Sequence, residues 1–133
     1  MRVSQWLSVY GSDKVSTHNY GSFYDDLFAR LKPQALLEIG VYRGASLRAW
    51  AAAGVPKTIG VDNDPATASL GLQVLLAIMP GQAYAVAERV GLLDIIIDDG
   101  SHLYPDYTAT ADVLLQRLRL GGVYVIEDIQ TQD

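Results

Sequence analysis

The sequence predicts an α/β fold in which an open, mostly parallel sheet of about five strands is flanked by helices. Two observations support this prediction. Short apolar runs that end in an acidic residue or a glycine recur along the chain of 133 residues, and stretches with helical spacing lie between them. Strands that alternate with helices are normally joined by right-handed crossovers, and such connections make neighbouring strands parallel.

The composition restricts the kinds of protein that the chain could be. Half of the residues are hydrophobic and 12 are glycine, as in a packed globular domain. A net charge of −5 without a basic stripe argues against a nucleic-acid partner. Because the sequence has no cysteine, a bound metal would need oxygen or histidine ligands. The first ten residues do not resemble a signal peptide and no apolar run could span a bilayer, so we expect a cytoplasmic protein without membrane contact.

The N-terminal part is predicted to be a loop followed by a helix. Residues 1–22 are polar and aromatic without periodicity, so we interpret them as a loop or lid that precedes a domain of residues 23–133. Bulky side chains at helical spacing follow between residues 20 and 31, and Pro33 ends this helix.

The first two strands are predicted on either side of a helix. Residues 35–40 form an apolar run that reads as a buried strand. Residues 41–44 then make a tight turn into a helix that contains Trp50 and ends at Gly54. Residues 58–62 are a second strand that ends in an acid.

The middle of the chain is predicted to be a helix and then a short strand. The helix is expected from Pro65 to Ile78, with Gly71 as an unfavourable residue inside it. Residues 82–87 are interpreted as a short third strand, which leaves residues 88–93 as a gap too short for a full crossover helix.

Two more strands complete the predicted sheet. Residues 94–98 form an apolar run that begins and ends with an acid. A helix is expected to begin at Pro105 and to end at the pair Gly121 and Gly122, and residues 123–126 form the last strand.

Residues 38–44 combine a strand end, a turn with two glycines and a helix start, which is typical of a cofactor-binding turn. Gly40 and Gly44 would let a ligand approach the backbone, and the helix N-terminus favours negative charge. Asp62, at the end of the next strand, could accept hydrogen bonds from both ribose hydroxyls, so we predict an adenosine-type cofactor. Tyr42 stands where the dinucleotide fingerprint has a glycine, which disfavours a nicotinamide cofactor. The alternative is a tight turn without a ligand.

Two pairs of carboxylates follow the last two predicted strands. They are Asp98 with Asp99 and Glu127 with Asp128. Adjacent residues at a strand end point to opposite faces, so one acid of each pair should face a cleft. Three oxygen ligands there, completed by water, suit Mg²⁺ or another hard divalent ion. The alternative is that these acids only lie at exposed strand ends and cap the following helices.

A histidine lies close to the same carboxylates. His102 follows Asp99 by three residues in the predicted loop, so its imidazole could reach the cleft and act as a general base. The alternative is a histidine at the surface or in the packing. His18 is supported only by its polar and aromatic surroundings.

Three motifs together resemble a known family. They are LEIG at residues 37–40, DDGSH at residues 98–102 and VIED at residues 125–128. This set resembles the class I S-adenosylmethionine-dependent methyltransferases. More narrowly, it is similar to the metal-dependent O-methyltransferases that act on macrolide sugars, of the macrocin and mycinamicin type. Residues 11–14 (GSDK) and 18–20 (HNY) are also similar to the segment that precedes the fold in that family.

The resemblance implies a Rossmann-like fold and a cofactor site. In that site Glu38 and Gly40 would lie against the methionine part of S-adenosylmethionine, Asp62 would hold its ribose, and Glu88 would contact its adenine. Asp98 is expected to be a supporting acid. The candidate cofactor contacts are Glu38, Gly40, Tyr42, Gly44, Asp62, Asn63, Glu88 and Asp98.

The resemblance also implies a metal and a base. Asp99, Glu127 and Asp128 would bind Mg²⁺, which would orient two vicinal hydroxyls of a small-molecule acceptor. His102 would remove the proton from the hydroxyl that is methylated.

The implied function is S-adenosylmethionine- and Mg-dependent O-methyl transfer to a hydroxyl of a glycosylated or polyol natural product, as in antibiotic biosynthesis. The family fold normally continues through two more strands than this chain contains, so we expect an exposed sheet edge that a homo-oligomer would cover. The alternatives are a truncated cofactor-binding remnant without turnover and a related oxidoreductase or hydroxylase.

Overall fold

Five parallel strands form one open sheet, as the sequence predicts. The structure is a computed structural model and describes residues 1–129. The strands are β1 (Ala35–Ile39), β2 (Lys57–Asp62), β3 (Val74–Leu76), β4 (Leu93–Asp98) and β5 (Leu118–Ile126). They are arranged in the order β3-β2-β1-β4-β5. The order reverses between β1 and β4, and open parallel sheets bind ligands beyond the carboxyl ends of the strands at such a point.

Helices cover both faces of the sheet. They are α1 (Val3–Val9), α2 (Asp13–Ser16), α3 (Gly21–Leu31), α4 (Ala45–Ala52), α5 (Ala83–Val90) and α6 (Tyr104–Leu114). Buried side chains of α1, α3 and α4 pack on one face, and those of α5 and α6 pack on the other. In the part of the chain that the structure describes, no helix has the length and apolarity needed to cross a membrane.

Burial on both faces explains the continuous apolar runs in the central strands. All five residues of β1 are buried, and Ile95, Ile96 and Ile97 of β4 are fully buried. Because side chains alternate between faces, Leu37 and Ile96 join the cluster with α5 and α6, whereas Leu36 and Ile95 join the cluster with α1, α3 and α4. This packing holds the two central strands, and therefore their carboxyl ends, in fixed positions.

The N-terminal segment is helical, so the prediction of a loop at residues 1–22 was wrong. It contains α1 and α2, and Val3 and Leu7 of α1 are buried in the same cluster as Trp50. Two apolar residues at this spacing make one face of a two-turn helix, which is too short to produce a recognisable period. The boundary between a segment of residues 1–22 and a domain of residues 23–133 stays a prediction.

The predicted helix from Pro65 to Ile78 and the predicted strand at residues 82–87 were also wrong. A 3₁₀ turn at Pro65–Ser69 is followed by β3, whose Leu75 pairs with Val61 of β2. Gly71 lies at φ +74° and separates the two elements. Residues 82–87 belong mainly to α5, which supplies the crossover between β3 and β4. The four buried residues of α5 have helical spacing and are Ala83, Val86, Ala87 and Val90.

The glycine pair before the last strand has a different role from the predicted one. α6 ends at Leu114, and Gly121 and Gly122 lie inside β5 instead of ending a helix. The register between β4 and β5 is irregular there, and a Cβ on Gly122 would lie 2.8 Å from the backbone oxygen of Asp94. The glycines therefore let a bulged β5 approach β4 closely.

Replacement of Leu7 by alanine tests whether α1 belongs to the core. Leu7 is fully buried, so Leu7→Ala should lower the free energy of unfolding by about 2–5 kcal/mol. Val9 on the same helix is 62% exposed, so the control Val9→Ala should change it by about 0.5 kcal/mol or less. Urea unfolding followed by circular dichroism measures both. Equal, small effects would contradict the packing of α1 on the sheet.

Candidate functional site

The turn after β1 touches the end of β4 through their backbones. The Asp99 amide donates a hydrogen bond to the Ile39 carbonyl at 2.9 Å. Gly40 lies at φ +90°, and a Cβ placed on it would be 2.2 Å from the backbone oxygen of Asp99. Only glycine fits this contact, because any side chain would overlap the neighbouring backbone. Gly40 thus brings the predicted cofactor turn next to the predicted metal ligand.

Asp62, at the end of β2, holds the same turn from the other side. Its Oδ2 accepts hydrogen bonds from the Val41 and Tyr42 amides at 2.8 and 3.2 Å, and its Oδ1 accepts one from the Asp64 amide at 2.9 Å. Burial alone would raise the pKa of Asp62, but the backbone amides outweigh burial and lower it. The carboxylate is therefore ionised and fixed at neutral pH.

Two cavities meet at this point. The first has a volume of about 500 Å³ and lies beyond the ends of β1, β2 and β4. Of the predicted cofactor residues it is lined by Gly40, Tyr42, Asp62 and Asn63. The second has a volume of about 900 Å³ and shares Gly40, Tyr42 and Asp99 with the first. The two cavities therefore adjoin at these three residues.

The remaining predicted cofactor residues do not line the first cavity. Glu38 has 0% exposure. Glu88 is an exposed residue of α5, because the strand that ends near the cavity is β3 and not the predicted strand at residues 82–87. Gly44 turns the chain into α4 at φ +84°, and Asp98 is buried, where its Oδ1 accepts a hydrogen bond from the Gly100 amide at 3.0 Å. The supporting role expected of Asp98 stays a prediction.

The segment after β3 supplies two cavity residues that the sequence reading missed. Ala77 and Met79 line the first cavity together with Asp62 and Asn63. The helix predicted at residues 65–78 contains no strand end, so the sequence does not place these two residues at the edge of the sheet. Correct recognition of the breaker Gly71 would have placed β3, and hence these residues, at the carboxyl edge of the sheet.

Three side chains in the second cavity could hold a metal ion. Asp99, His102 and Asp128 can each offer one ligand atom, and these atoms lie within 4.8 Å of one another. The His102 Nε2 is 3.6 Å from Asp99 Oδ1 and 4.0 Å from Asp128 Oδ2. Both His102 and Asp128 have positive φ, at 64° and 56°. Such backbone conformations are costly outside glycine and are concentrated at functional sites.

A backbone contact sets the direction of the His102 ring. Its Nδ1 lies 3.2 Å from the Glu127 carbonyl oxygen, which can only accept a hydrogen bond. A proton on Nδ1 satisfies this contact and leaves the lone pair of Nε2 facing Asp99 and Asp128. The ring is thereby prepared to take up a proton at Nε2.

Glu127 differs from the other predicted metal ligands because its carboxylate is buried and already paired. Its Oε1 lies 2.7 Å from Lys14 Nζ, and its Oε2 accepts a hydrogen bond from the Tyr24 hydroxyl. It is not among the three side chains whose ligand atoms converge. Burial raises the pKa of Glu127, and Lys14 and Tyr24 act in the opposite direction.

Lys14, on α2, contacts three of the predicted site carboxylates but is not itself predicted from the sequence. Its Nζ lies 3.1 Å from Glu38, 3.2 Å from Asp99 and 2.7 Å from Glu127, and its side chain is 1% exposed. Burial alone would lower the pKa of Lys14, but the three carboxylates outweigh it and raise the pKa above its ordinary value. These ion pairs join residues far apart in the sequence, so no local sequence pattern predicts them. The only available signal was the position of Lys14 in the GSDK motif.

Two more residues of the N-terminal segment contact Asp128. His18 Nδ1 lies 3.4 Å from Asp128 Oδ1, and the Tyr20 hydroxyl donates a hydrogen bond to the same oxygen. The rings of His18 and Tyr20 stack with centroids 5.5 Å apart. His18 also lines the second cavity.

A protein-family model described as a methyltransferase domain matches residues 37–129. Among curated proteins, the chain is 32% identical to the 8-demethyl-8-alpha-L-rhamnosyl tetracenomycin-C 2'-O-methyltransferase of Streptomyces olivaceus over 136 residues. It is 36% identical to the L-olivosyl-oleandolide 3-O-methyltransferase of Streptomyces antibioticus over 138 residues. Each match covers 92% of this chain and 36% of the relative.

A solved structure is similar over nearly the whole chain. It is the MycE methyltransferase from the mycinamycin biosynthetic pathway in complex with Mg, SAH and mycinamycin VI. The TM-score is 0.84 at 30% sequence identity, and the match covers 96% of this chain and 39% of MycE. The chain therefore spans little more than a third of the length of these relatives.

Replacement of Gly40 by alanine tests the backbone contact between β1 and β4. The new Cβ would overlap the Asp99 backbone, so Gly40→Ala should lower the free energy of unfolding by about 3 kcal/mol or more. Gly71→Ala is the matched control, because Gly71 also has positive φ but no atom within 4 Å of the added Cβ. It should cost about 1 kcal/mol. Similar losses for both variants in urea unfolding would contradict the close contact.

Replacement of Asp62 by asparagine tests the ionised anchor of the turn. The folded pKa of Asp62 is lowered, so its stabilisation is present above the unfolded value of about 3.9 and disappears as the pH falls through the folded value. Asp62→Asn should therefore lower the free energy of unfolding by about 1–2 kcal/mol at pH 7 and by less at pH 3. Urea unfolding at both pH values measures this. A loss independent of pH would contradict the assignment.

Proposed function

Because the chain belongs to the methyltransferase domain family, we propose that it forms the S-adenosylmethionine- and Mg²⁺-binding part of an O-methyltransferase. The observation that carries the proposal is the contact between Gly40 and Asp99. This contact places the turn that suits an adenosine cofactor beside the side chains that suit a metal ion, in two adjoining cavities.

The cofactor would lie in the first cavity. Its volume of about 500 Å³ is within the range of small-molecule sites. Asp62, ionised and fixed by backbone amides, is available at the strand end where a ribose is bound in folds of this type. Gly40 leaves the backbone of the turn open, and Asn63 lies beside Asp62. S-adenosylmethionine supplies an electrophilic methyl group when it is bound.

Mg²⁺ would be held by Asp99, Glu127 and Asp128. Asp99 and Asp128 face the second cavity and supply the carboxylate oxygens that hard divalent cations prefer. Glu127 would become the third ligand by turning Oε2 from Tyr24 towards the other two acids, while Oε1 stays on Lys14. Mg²⁺ at this position would lower the pKa of a bound hydroxyl.

His102 would serve as the general base and not as a metal ligand. Mg²⁺ binds oxygen in preference to imidazole, so the nearby His102 ring stays free when two or three carboxylates are present. The Glu127 carbonyl holds the ring through Nδ1, and Nε2 points towards Asp99 and Asp128. Nε2 can accept the proton of an acceptor hydroxyl placed between them.

The acceptor would be a glycosylated or polyol small molecule with vicinal hydroxyls. The support is that the two curated relatives are named as O-methyltransferases of rhamnosyl and olivosyl compounds. The second cavity, of about 900 Å³, has room for a sugar beside the metal ligands and is lined by polar side chains such as His18, Arg43 and Ser46. A cytoplasmic location and a homo-oligomer stay predictions.

Metal binding can be tested without substrate. Asp99→Asn should weaken Mn²⁺ binding at least tenfold, because it removes one charged ligand, whereas the exposed Asp112→Asn on α6 should leave the affinity unchanged within twofold. Titration with manganese chloride, followed by the electron paramagnetic resonance signal of free Mn²⁺, measures both. Equal affinities for the two variants would contradict a site at Asp99.

Cofactor binding and turnover separate the remaining functions. Calorimetry should detect binding of S-adenosylhomocysteine by the unmodified chain, and NADH should give no heat. Methyl transfer to a panel of glycosides should require Mg²⁺ and should fall at least a hundredfold in His102→Gln, whose cofactor affinity is retained. Binding of NADH alone would contradict the methyltransferase assignment. Cofactor binding without methyl transfer to any glycoside would instead indicate a chain that does not turn over alone.

A further inference from the structure

Lys14 joins the ends of three strands at the candidate metal site. Its ammonium group contacts Glu38 of β1, Asp99 after β4 and Glu127 after β5. The lysine comes from α2, whose start is fixed by the buried Ser12, because the Ser12 hydroxyl accepts a hydrogen bond from the Lys14 amide at 3.2 Å. The position of the ammonium group is therefore set by a short, capped helix and not by a flexible tail.

In each of the three carboxylates, one oxygen contacts Lys14 and the other oxygen contacts a different side chain. Asp99 Oδ2 lies 3.2 Å from Lys14 Nζ, and Asp99 Oδ1 lies 3.6 Å from His102 Nε2. Glu127 Oε1 accepts a hydrogen bond from Lys14 Nζ, and Glu127 Oε2 accepts one from the Tyr24 hydroxyl. Glu38 is fully buried; its Oε1 accepts hydrogen bonds from the Ser46 hydroxyl and the Trp50 indole N–H, and its Oε2 is 3.1 Å from Lys14 Nζ. Without the ammonium group these carboxylates would repel one another at short range.

We propose that Lys14 is a positioning residue of the metal site, which orients Asp99 and Glu127 so that the free oxygen of Asp99 faces the metal together with Asp128. This inference rests on the Mg²⁺ site proposed above. The competing explanation is that Lys14 only balances buried charge, so that any arrangement of the cluster with the same summed charge would bind metal equally well.

A pair of variants separates positioning from charge balance. Lys14→Met removes the ammonium group and leaves three carboxylates together, so it should be less stable than the unmodified chain. The double variant Lys14→Met with Glu38→Gln removes one positive and one negative charge and leaves the summed charge of the cluster unchanged. The glutamine oxygen can still accept from Ser46 and Trp50. We expect the double variant to recover much of the lost melting temperature.

If Lys14 only balances charge, the double variant should bind Mn²⁺ as tightly as the unmodified chain. Titration with manganese chloride in the absence of cofactor should show at least tenfold weaker binding by the double variant, although it is folded. Lys32→Met, which removes an exposed lysine, is the control and should bind like the unmodified chain. Affinity of the folded double variant within twofold of the unmodified chain would overturn the positioning role. Absence of Mn²⁺ binding by the unmodified chain would overturn the metal site itself and this inference with it.

A second measurement needs no substitution and applies if the double variant does not fold. In the chain labelled with [15N]lysine, saturating Mg²⁺ should shift the Lys14 Nζ resonance, because two of its partners become metal ligands. The resonance of Lys32 serves as the internal control and should stay in place. A Lys14 resonance that does not move at saturating Mg²⁺ would overturn the inference.

Discussion

A lysine ammonium group buried among three carboxylates is the interaction on which the site depends. Loss of one partner from a buried ion pair costs about 3–5 kcal/mol, a large part of the 5–15 kcal/mol that typically separates folded from unfolded domains. Lys14 reaches strand ends that come from widely separated parts of the chain. The N-terminal helices are consequently tied to the sheet by charge as well as by the apolar packing of α1.

The contact between Gly40 and Asp99 places two adjoining cavities at one edge of the sheet. These two residues bring the turn after β1 against the end of β4, so the cavity proposed for the cofactor and the cavity proposed for the metal share lining residues. Asp62 fixes the turn on the cofactor side, and the Glu127 carbonyl fixes the His102 ring on the metal side. Asp62 and His102 are each held by backbone groups, and Asp99 and Glu127 by the buried Lys14, and such support keeps a site in a defined geometry.

Residues with local signals were predictable from the sequence, and residues with long-range partners were not. The apolar runs that end in an acid or a glycine predicted β1, β2, β4 and β5, and they placed Asp62, Asp99 and His102 at one edge. β3 was missed because it has three residues and follows a 3₁₀ turn, so helical spacing across Gly71 misled the interpretation. The burial of Glu127 against Lys14 depends on a contact across most of the chain, which no local pattern records.

A crystal structure with Mn²⁺ and S-adenosylhomocysteine tests the central claim most directly, because anomalous scattering locates the metal independently of the chain. We predict one Mn²⁺ peak bound by Asp99, Glu127 and Asp128, with Lys14 Nζ still close to Glu38 and Asp99. The ribose of the cofactor should lie against Asp62. A Mn²⁺ peak away from Asp99 and Asp128, or a Lys14 side chain turned into solvent with the metal bound, would contradict the account.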